Sequence, residues 1–265
     1  MRESNEIRAW PRVLLIAAHP DDETIGAGVL LSRRTNVQVV HVTDGSPLNL
    51  ADALAAGFRT REEYAEARRK ETVAALALAG ISEDAIANLK FTDQQTAFHL
   101  REISDAILKV VQEVRPEIVL THAYEGGHPD HDSVALACHM AQQRCRDAAF
   151  CLCEFSGYHA GNGGMDVYQF LRQEARERQF TYSLTPAERE LKIAMINRFS
   201  TQARTLQAFS LPEVEKFRVA PRYDFAKPPH AGKLWYENFN WGVDGPAWRK
   251  MATQTLSEIF HPLTV

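Results

Sequence analysis

The sequence has little cysteine, and none of it forms a pattern that binds a structural metal. The four cysteines form no Cys-x-x-Cys pair; they are Cys138, Cys145, Cys151 and Cys153. Their spacing argues against a structural zinc site and against a thioredoxin-type redox motif. We interpret them as buried thiols in a reducing compartment, and we expect a cytoplasmic protein.

Long apolar runs and one-sided charge are also missing. No apolar stretch is long enough to span a bilayer, and the polar residues 1–6 lack the apolar core of a signal peptide. The net charge is only −4 and is spread along the chain, without the basic block that nucleic-acid binding favours. We therefore expect neither membrane insertion nor a nucleic-acid partner.

What the chain does contain is an alternation of strand-like and helix-like segments. Apolar strand-like runs occur at 12–18, 37–43, about 88–91, 117–122 and 150–158. Helical patterns occur between them, at 60–79, 97–114 and 132–147. Strands that alternate with helices form parallel sheets with both faces covered. The sequence therefore predicts an α/β fold, a Rossmann-like mainly parallel sheet with helices on both faces.

The C-terminal third has a different pattern. Residues 185–208 predict one long helix, 217–241 an irregular segment rich in proline and aromatic residues, and 246–260 a final helix. Because no linker is evident, we expect a single domain over 1–265, with a core at about 10–160 and a helical and irregular elaboration at about 161–265. The aromatic side chains of the irregular segment leave three roles open: stacking on a sugar, filling the core, or contacting another copy in a homo-oligomer.

Two polar clusters each follow one of the apolar runs. His19-Pro20-Asp21-Asp22-Glu23 follows the run that ends at residue 18, and His128-Pro129-Asp130-His131-Asp132 follows the run at 117–122. In the strand order 3-2-1-4-5, the first and fourth strands are neighbours where the order reverses, and ligands bind at that edge. We therefore expect both clusters to meet in one crevice.

Three residues of these clusters form a set typical of a catalytic metal site. His19, Asp22 and His131 would supply two imidazoles and one carboxylate, which leaves a fourth position for water. A bound zinc ion (Zn2+) lowers the pKa of such a water towards 7. Iron(II) (Fe2+) would accept the same ligands. Read alone, an acidic pair after a strand is also typical of a helix cap.

The other polar residues suggest roles around that metal. Asp21 would act as the general base, and His128 would act as an acid or electrophile across the site. Asp130 could hold the His128 ring through a hydrogen bond. His122, at a strand end near the second cluster, is a candidate for a supporting contact.

The two clusters resemble the signature motifs of the LmbE/PIG-L deacetylases. The segments concerned are Ala-His-Pro-Asp-Asp-Glu at 18–23 and Gly-His-Pro-Asp-His at 127–131, and the resemblance covers roughly residues 10–160. Thr43-Asp44-Gly45 and the Arg-x-x-Glu segment at 68–71 match as well. The resemblance implies a zinc-dependent enzyme that removes N-acetyl groups, typically from N-acetylglucosamine conjugates. It implies that the three ligands named above hold the zinc.

The resemblance also implies roles for individual residues. Asp21 would be the base, and His128, steadied by Asp130, would stabilise the oxyanion or protonate the leaving amine. Arg68 and Asp93 would contact the substrate, although a solvated helix charge and a turn-forming aspartate are equally natural interpretations. Some members place a tyrosine close before the second motif; in this chain the nearest one, Tyr124, is four residues before the histidine.

The sequence therefore predicts a hydrolase that removes an N-acetyl (N-acyl) group from an amino-sugar conjugate through zinc-activated water. The alternatives are a metal-dependent phosphoesterase and a non-catalytic metal-binding or signalling module. A receiver-type signalling module needs a lysine after its last strand, and residues 151–155 offer none. The substrate stays open among a free sugar, a thiol-conjugate precursor, a lipid-linked sugar and an antibiotic.

Overall fold

A seven-stranded sheet forms the centre of the part of the chain that the computed structural model describes, residues 11–145, 149–171 and 179–260. Five neighbouring strands are parallel, in the spatial order β3 (Ile86–Asp93), β2 (Val37–Pro47), β1 (Val13–Ala17), β4 (Ile118–His122) and β5 (Cys151–Phe155). Two antiparallel strands extend the sheet beyond β5, first β9 (Val214–Val219) and then β8 (Gln179–Ser183). The predicted order 3-2-1-4-5 is confirmed.

The described residues form seven α-helices and a small hairpin. The helices are α1 (Asp22–Ser32), α2 (Ala51–Ala55), α3 (Arg61–Leu78), α4 (Leu100–Val114), α5 (Pro129–Arg144), α6 (Pro186–Ile196) and α7 (Gly245–Phe260). The hairpin pairs β6 (Tyr158–Ala160) with β7 (Met165–Val167). Sequence signals determine where several helices begin. Thr60 and Glu63 form a capping box at α3, and Pro129 occupies the first turn of α5.

Helices cover both faces of the sheet, as predicted. Alternate residues of β1 point to opposite faces, because strand side chains alternate. Leu15 packs into a core with residues of α1, α3 and α6, whereas Leu14 packs into a second core with residues of α4 and α5. Both leucines are completely buried, which explains why β1 reads as a continuous apolar run. None of the described helices is long and apolar enough to cross a bilayer.

The predicted long helix over 185–208 is wrong. The helix ends at Ile196 and is followed by two 3₁₀ turns, Ser200–Gln202 and Thr205–Phe209. The Glu71 carboxylate of α3 accepts hydrogen bonds from the Ser200 hydroxyl and from the backbone N–H and hydroxyl of Thr201, at 2.6–2.9 Å. These bonds fix a turn where a straight helix would continue, and Phe199, Leu206 and Phe209 are buried as a result.

Two further expectations need correction. The strands β8 and β9 lie in a part of the chain where helix and irregular structure were predicted. The cysteines are not all buried: Cys138 and Cys145 are, but Cys151 is exposed and Cys153 is half-buried. Cys151 is the first residue of β5 and lies at the end of that strand. The segments 1–10 and 261–265 lie outside the described residues.

Candidate metal-binding and catalytic site

The two polar clusters meet at the carboxyl ends of β1 and β4. These strands are direct neighbours in the sheet, with Val13 paired to Ile118. The chain leaves β1 at Ala17 and enters α1 through the first cluster, and it enters α5 through the second. The rings of His19 and His128 are consequently 4.5 Å apart between centroids. The topology alone brings these distant segments together.

Three residues, which we call the ligand triangle, place donor atoms at the spacing that a tetrahedral metal requires. Nδ1 of His19 lies 3.3 Å from Nε2 of His131. The Asp22 carboxylate reaches both nitrogens, with Oδ2 3.1 Å from Nδ1 of His19 and Oδ1 3.2 Å from Nε2 of His131. Metal–ligand bonds of about 2.0–2.1 Å at tetrahedral angles place ligand atoms about 3.3 Å apart. The three residues predicted as ligands are thus brought together in a suitable arrangement, and all three are buried.

A second group of candidate ligands, His19, Asp93, His128 and Asp130, fits a metal less well. The Asp130 carboxylate already has four partners: Nε2 of His19 at 3.1 Å, the Gln94 N–H at 2.7 Å, and the backbone N–H and hydroxyl of Thr96 at 3.3 and 2.6 Å. A carboxylate accepts about four hydrogen bonds, so no lone pair is left for a cation. The Asp130 carboxylate instead orients the ring of His19, as carboxylates commonly do for metal-binding histidines.

The expected contact between the Asp130 carboxylate and His128 is not made. That carboxylate lies 4.0 Å from Nδ1 of His128, because its hydrogen bonds go to His19 and to the loop after β3. Nδ1 of His128 instead accepts the backbone N–H of Asp130 at 3.1 Å, as the N-cap of α5. The ring is therefore held by the helix start, and its Nε2 must carry the proton when the ring is neutral.

Charge is distributed unevenly around the ligand triangle. Burial lowers the pKa of His19, but the carboxylates of Asp93, Asp130 and Asp22 outweigh that effect and raise it well above its usual value. Burial favours protonated Asp22, yet the neighbouring His131 holds its pKa well below the ordinary range. Several buried carboxylates thus converge on one imidazole. Such an excess of buried negative charge is what a divalent cation would neutralise.

Arg68 packs beneath Asp21 instead of facing solvent. Its guanidinium is only 4% exposed and donates to Oδ2 of Asp21 and to the carbonyl of Pro20, both at 2.8 Å, as well as to the carbonyl of Gly45. Burial raises the pKa of Asp21 to about 8, although Arg68 opposes the shift. A carboxylate with a pKa near neutrality is well suited to general-base chemistry.

The backbone of Asp21 adopts a conformation that is rare for a residue with a side chain, φ 137° and ψ −29°. Glu23 stabilises it: its carboxylate accepts the Asp21 N–H at 3.1 Å and lies 2.8 Å from Nε2 of His41. Both partners are buried. No role for Glu23 or His41 was predictable from the sequence, because their pairing depends on the alignment of α1 with β2.

His122 supports the ligand triangle from behind, as its position at a strand end suggested. Its ring stacks on His131, with centroids 3.9 Å apart and planes 15° apart, and its Nε2 accepts the Ala18 N–H at 2.9 Å. Burial and the neighbouring His131 lower the pKa of His122 to about 3. The ring therefore stays neutral and acts as a packing surface for His131, a predicted ligand.

A cavity of about 130 Å³ opens beside these residues. Asp93 is buried in its wall, and its Oδ1 lies 3.1 Å from Nε2 of His19. Other walls come from outside the two clusters, including Tyr64, Tyr158, Gln202, Leu206, Phe209 and Trp241. Tyr124 is not in the wall: its hydroxyl donates to the carbonyl of Lys227. His230 is not in the wall either.

Comparison with known proteins shows a family match for part of the chain. Residues 14–141 match the family described as PIG-L: GlcNAc-PI de-N-acetylase. Among curated proteins, the chain is similar to the 1D-myo-inositol 2-acetamido-2-deoxy-alpha-D-glucopyranoside deacetylase of Mycobacterium tuberculosis, with 31% identity over 46% of this chain and 47% of the relative. The same protein from Mycobacterium bovis matches equally. The chain thus spans about half the length of the curated relatives that it matches.

Solved structures share the fold at low sequence identity. A deacetylase of teicoplanin biosynthesis aligns with a TM-score of 0.62 and 19% identity, over 80% of this chain and 99% of its own. The N,N'-diacetylchitobiose deacetylase of Pyrococcus horikoshii aligns with a TM-score of 0.58 and 19% identity, over 80% of this chain and 84% of its own. A 4-carboxy-2-hydroxymuconate hydratase of Pseudomonas putida aligns with a TM-score of 0.52 and 20% identity, over 81% of this chain and 98% of its own. The fold therefore hosts more than one reaction, and the family assignment rests on the sequence match: residues 14–141 form a domain of the PIG-L family.

Proposed function

We propose that this protein is a metal-dependent N-deacetylase that hydrolyses the acetamide of an N-acetylated amino-sugar conjugate. The triangle of donor atoms from His19, Asp22 and His131, with Asp21 directly beside it, carries the proposal. It is supported by the family match and by curated relatives whose names describe deacetylation of an acetamido sugar.

The donor set suits zinc and would also accept iron(II). When bound, such a metal supplies a Lewis acid that polarises a carbonyl and lowers the pKa of water. The protein's own contribution is to hold the ligands ready. His122 stacks on His131, and Asp130 fixes His19 through Nε2, so that both imidazoles present one nitrogen to the same point.

Asp21 would take the proton from the attacking water. One of its oxygens, Oδ2, is held by Arg68 at 2.8 Å, which leaves the other to accept. The water oxygen forms a bond to the acetyl carbon, and the proton passes to Asp21. When the C–N bond breaks, that proton goes to the leaving nitrogen. Acetic acid and a free amine result, the carboxylate of Asp21 is restored, and the acid proton then passes to the amine, so that acetate and an ammonium group are released in neutral water.

His128 would stabilise the carbonyl oxygen of the substrate. Since Nδ1 accepts the Asp130 N–H, Nε2 carries the hydrogen of the neutral ring. Burial, together with the nearby His19 and His131, lowers the pKa of His128 well below its usual value. A neutral imidazole is a hydrogen-bond donor but a poor acid. We therefore favour the electrophilic role over protonation of the amine.

Asp93 and Arg68 would act differently towards the substrate. Asp93 lies in the cavity wall with Oδ1 3.1 Å from Nε2 of His19, and the remaining lone pairs of its carboxylate suit a hydroxyl or amide N–H donor. Nη1 and Nη2 of Arg68 donate to Asp21, Gly45 and Pro20, so Arg68 would position the base, whereas its Nε has no hydrogen-bond partner among the described residues.

The direct test is a panel of N-acetylated sugars and conjugates incubated with the zinc-loaded protein and assayed for free amine. We expect amine release by the native protein and a loss of at least about 10²-fold in kcat for Asp21→Asn, with zinc content unchanged. Phosphate esters in the same panel test the phosphoesterase alternative. Amine release by Asp21→Asn at the native rate would refute the mechanism, and phosphate release without amine release would refute the function.

A further inference from the structure

Two aromatic rings lead from the cavity to the protein surface. Trp241 lies in the cavity wall, with its ring 4.5 Å from that of His128 and tilted by 39°. Phe239 stacks on Trp241, with centroids 4.5 Å apart and planes only 11° apart. Phe239 is 42% exposed. A continuous aromatic surface therefore begins at a proposed catalytic group and ends in solvent.

The loop before His128 holds these rings in place. The Trp235 N–H donates to the carbonyl of Gly126 at 2.9 Å, and Leu234 packs so closely on Gly126 that a Cβ there would lie 2.7 Å from its Cδ2. Tyr236 is only 1% exposed. The segment that carries the rings is thus anchored on the same loop that begins α5, so the rings are fixed relative to the site.

The size of the cavity implies that part of a conjugate must lie outside it. Its volume of about 130 Å³ is comparable with cavities of about 150 Å³ that hold a benzene-sized molecule. The cavity can accept an acetamido group and part of one ring. A second ring of the substrate would have to lie outside the cavity, beyond Trp241. An open depression lined by Phe239, Asn240 and Val243 adjoins it on that side.

The charge of this depression restricts what can occupy it. Among the described residues, the charged members of its lining are Glu237 and Asp244, and none is a lysine or arginine. The lining therefore offers a phosphate or pyrophosphate group no cationic partner. A neutral ring suits the surface, because its apolar face can pack on aromatic rings while its hydroxyls meet polar neighbours such as Asn240.

We propose that Phe239 and Trp241 form a stacking subsite for a second, uncharged ring of the substrate. The preferred substrates would then be conjugates in which the N-acetylated sugar carries a pyranose, cyclitol or aryl ring, in preference to the free sugar or a phosphate-linked lipid. This inference rests on the proposed deacetylase function and adds to it the class of substrate.

The test compares N-acetylglucosamine with its phenyl β-glycoside, using the zinc-loaded protein and an assay for released amine. We expect a higher kcat/KM for the glycoside. In Phe239→Ala the ratio of the two kcat/KM values should fall roughly two- to tenfold, as loss of one aromatic contact predicts. Phe180→Ala is the matched control, because Phe180 is 61% exposed on β8, away from the cavity. The ratio of the two kcat/KM values in Phe180→Ala should equal that in the native protein.

A binding measurement separates the subsite from catalysis. Saturation-transfer NMR with metal-free protein should show transfer to the phenyl protons of the glycoside, and Phe239→Ala should reduce it. Equal kcat/KM values for both compounds, or an unchanged ratio and unchanged transfer in Phe239→Ala, would overturn the subsite while leaving deacetylation intact. Absence of amine release from both compounds, and from every other sugar in the panel, would instead refute the proposed function on which the inference rests.

Discussion

Replacement of Arg68 tests how the buried charges of the site are balanced. The guanidinium is held by Asp21 and by the carbonyls of Pro20 and Gly45, and its Nη1 lies 3.7 Å from Oδ2 of Asp93. Arg68→Met keeps most of the apolar stem and removes the charge and its donors. Two buried carboxylates would then lose their cationic neighbour.

The expected cost follows from these contacts. Removal of one partner of a buried ion pair costs about 3–5 kcal/mol, because the other charge stays buried. The two carbonyls that lose a donor add about 1 kcal/mol each. The ion-pair cost applies where Asp21 is ionised, so the measurement is made at pH 9, above the pKa of about 8 that Asp21 has beside Arg68. Loss of Arg68 raises that pKa further, and partial protonation of Asp21 then recovers some of the cost. We therefore expect the free energy of unfolding at pH 9 to fall by about 4 kcal/mol.

A double-mutant cycle in urea, on metal-free protein, measures this balance. If the unpaired carboxylate causes the loss, Asp21→Asn in the Arg68→Met background should restore about 2 kcal/mol. Arg69→Met is the matched control, since Arg69 lies on the same helix with its side chain 47% exposed and pairs with Glu66 and Glu83. Surface pairs of that kind contribute under about 1 kcal/mol. The ion-pair explanation would be contradicted if Arg68→Met lowered the free energy of unfolding no more than Arg69→Met does. Additive effects of the changes at Arg68 and Asp21 would contradict it as well.

Two further predictions concern metal binding and packing. Zinc at 1,000 times its dissociation constant should stabilise the metal-free protein by about 4 kcal/mol in thermal unfolding, and His131→Ala should abolish that shift; an equal shift in the variant would contradict the ligand set. Gly26→Ala should lower the free energy of unfolding by about 1–3 kcal/mol, because a Cβ there would lie 2.1 Å from the Phe155 ring. Gly28→Ala, whose nearest contact would be 3.3 Å, is the control in the same helix and should be close to neutral or stabilising.

The parallel core of the fold was predictable because its signals are local. The strands β1 and β4 are short apolar runs, and the apolar residues of 97–114 recur at helical spacing, so their identity did not depend on distant partners. The strand β9 shows the opposite case. Its Glu215 and Arg218 are 1% and 2% exposed, a burial that charged residues rarely show without partners.

Those partners come from distant segments of the chain. Lys192 of α6 donates to Glu215 at 2.7 Å, and Arg218 donates to Glu154 of β5 at 2.7 Å. A window of sequence around β9 therefore looks like a polar surface segment, although it lies inside the sheet. The same reason explains the error at Asp130, whose partners Gln94 and Thr96 belong to the loop after β3. The prediction of one domain over 1–265 and that of a homo-oligomer stay predictions.

The cavity walls divide into a part that would carry the proposed chemistry and a part that would select the substrate. The proposed ligands and Asp21 all lie within residues 14–141, the segment that matches the family. The opposite walls, which include Tyr158, Gln202 and Trp241, lie beyond it. Proteins that share the two motifs can therefore share a reaction while differing in the conjugate that they accept. It follows that exchange of segment 235–241 between family members should change the preferred conjugate without moving the metal ligands, whereas changes within 19–22 should abolish turnover for every substrate.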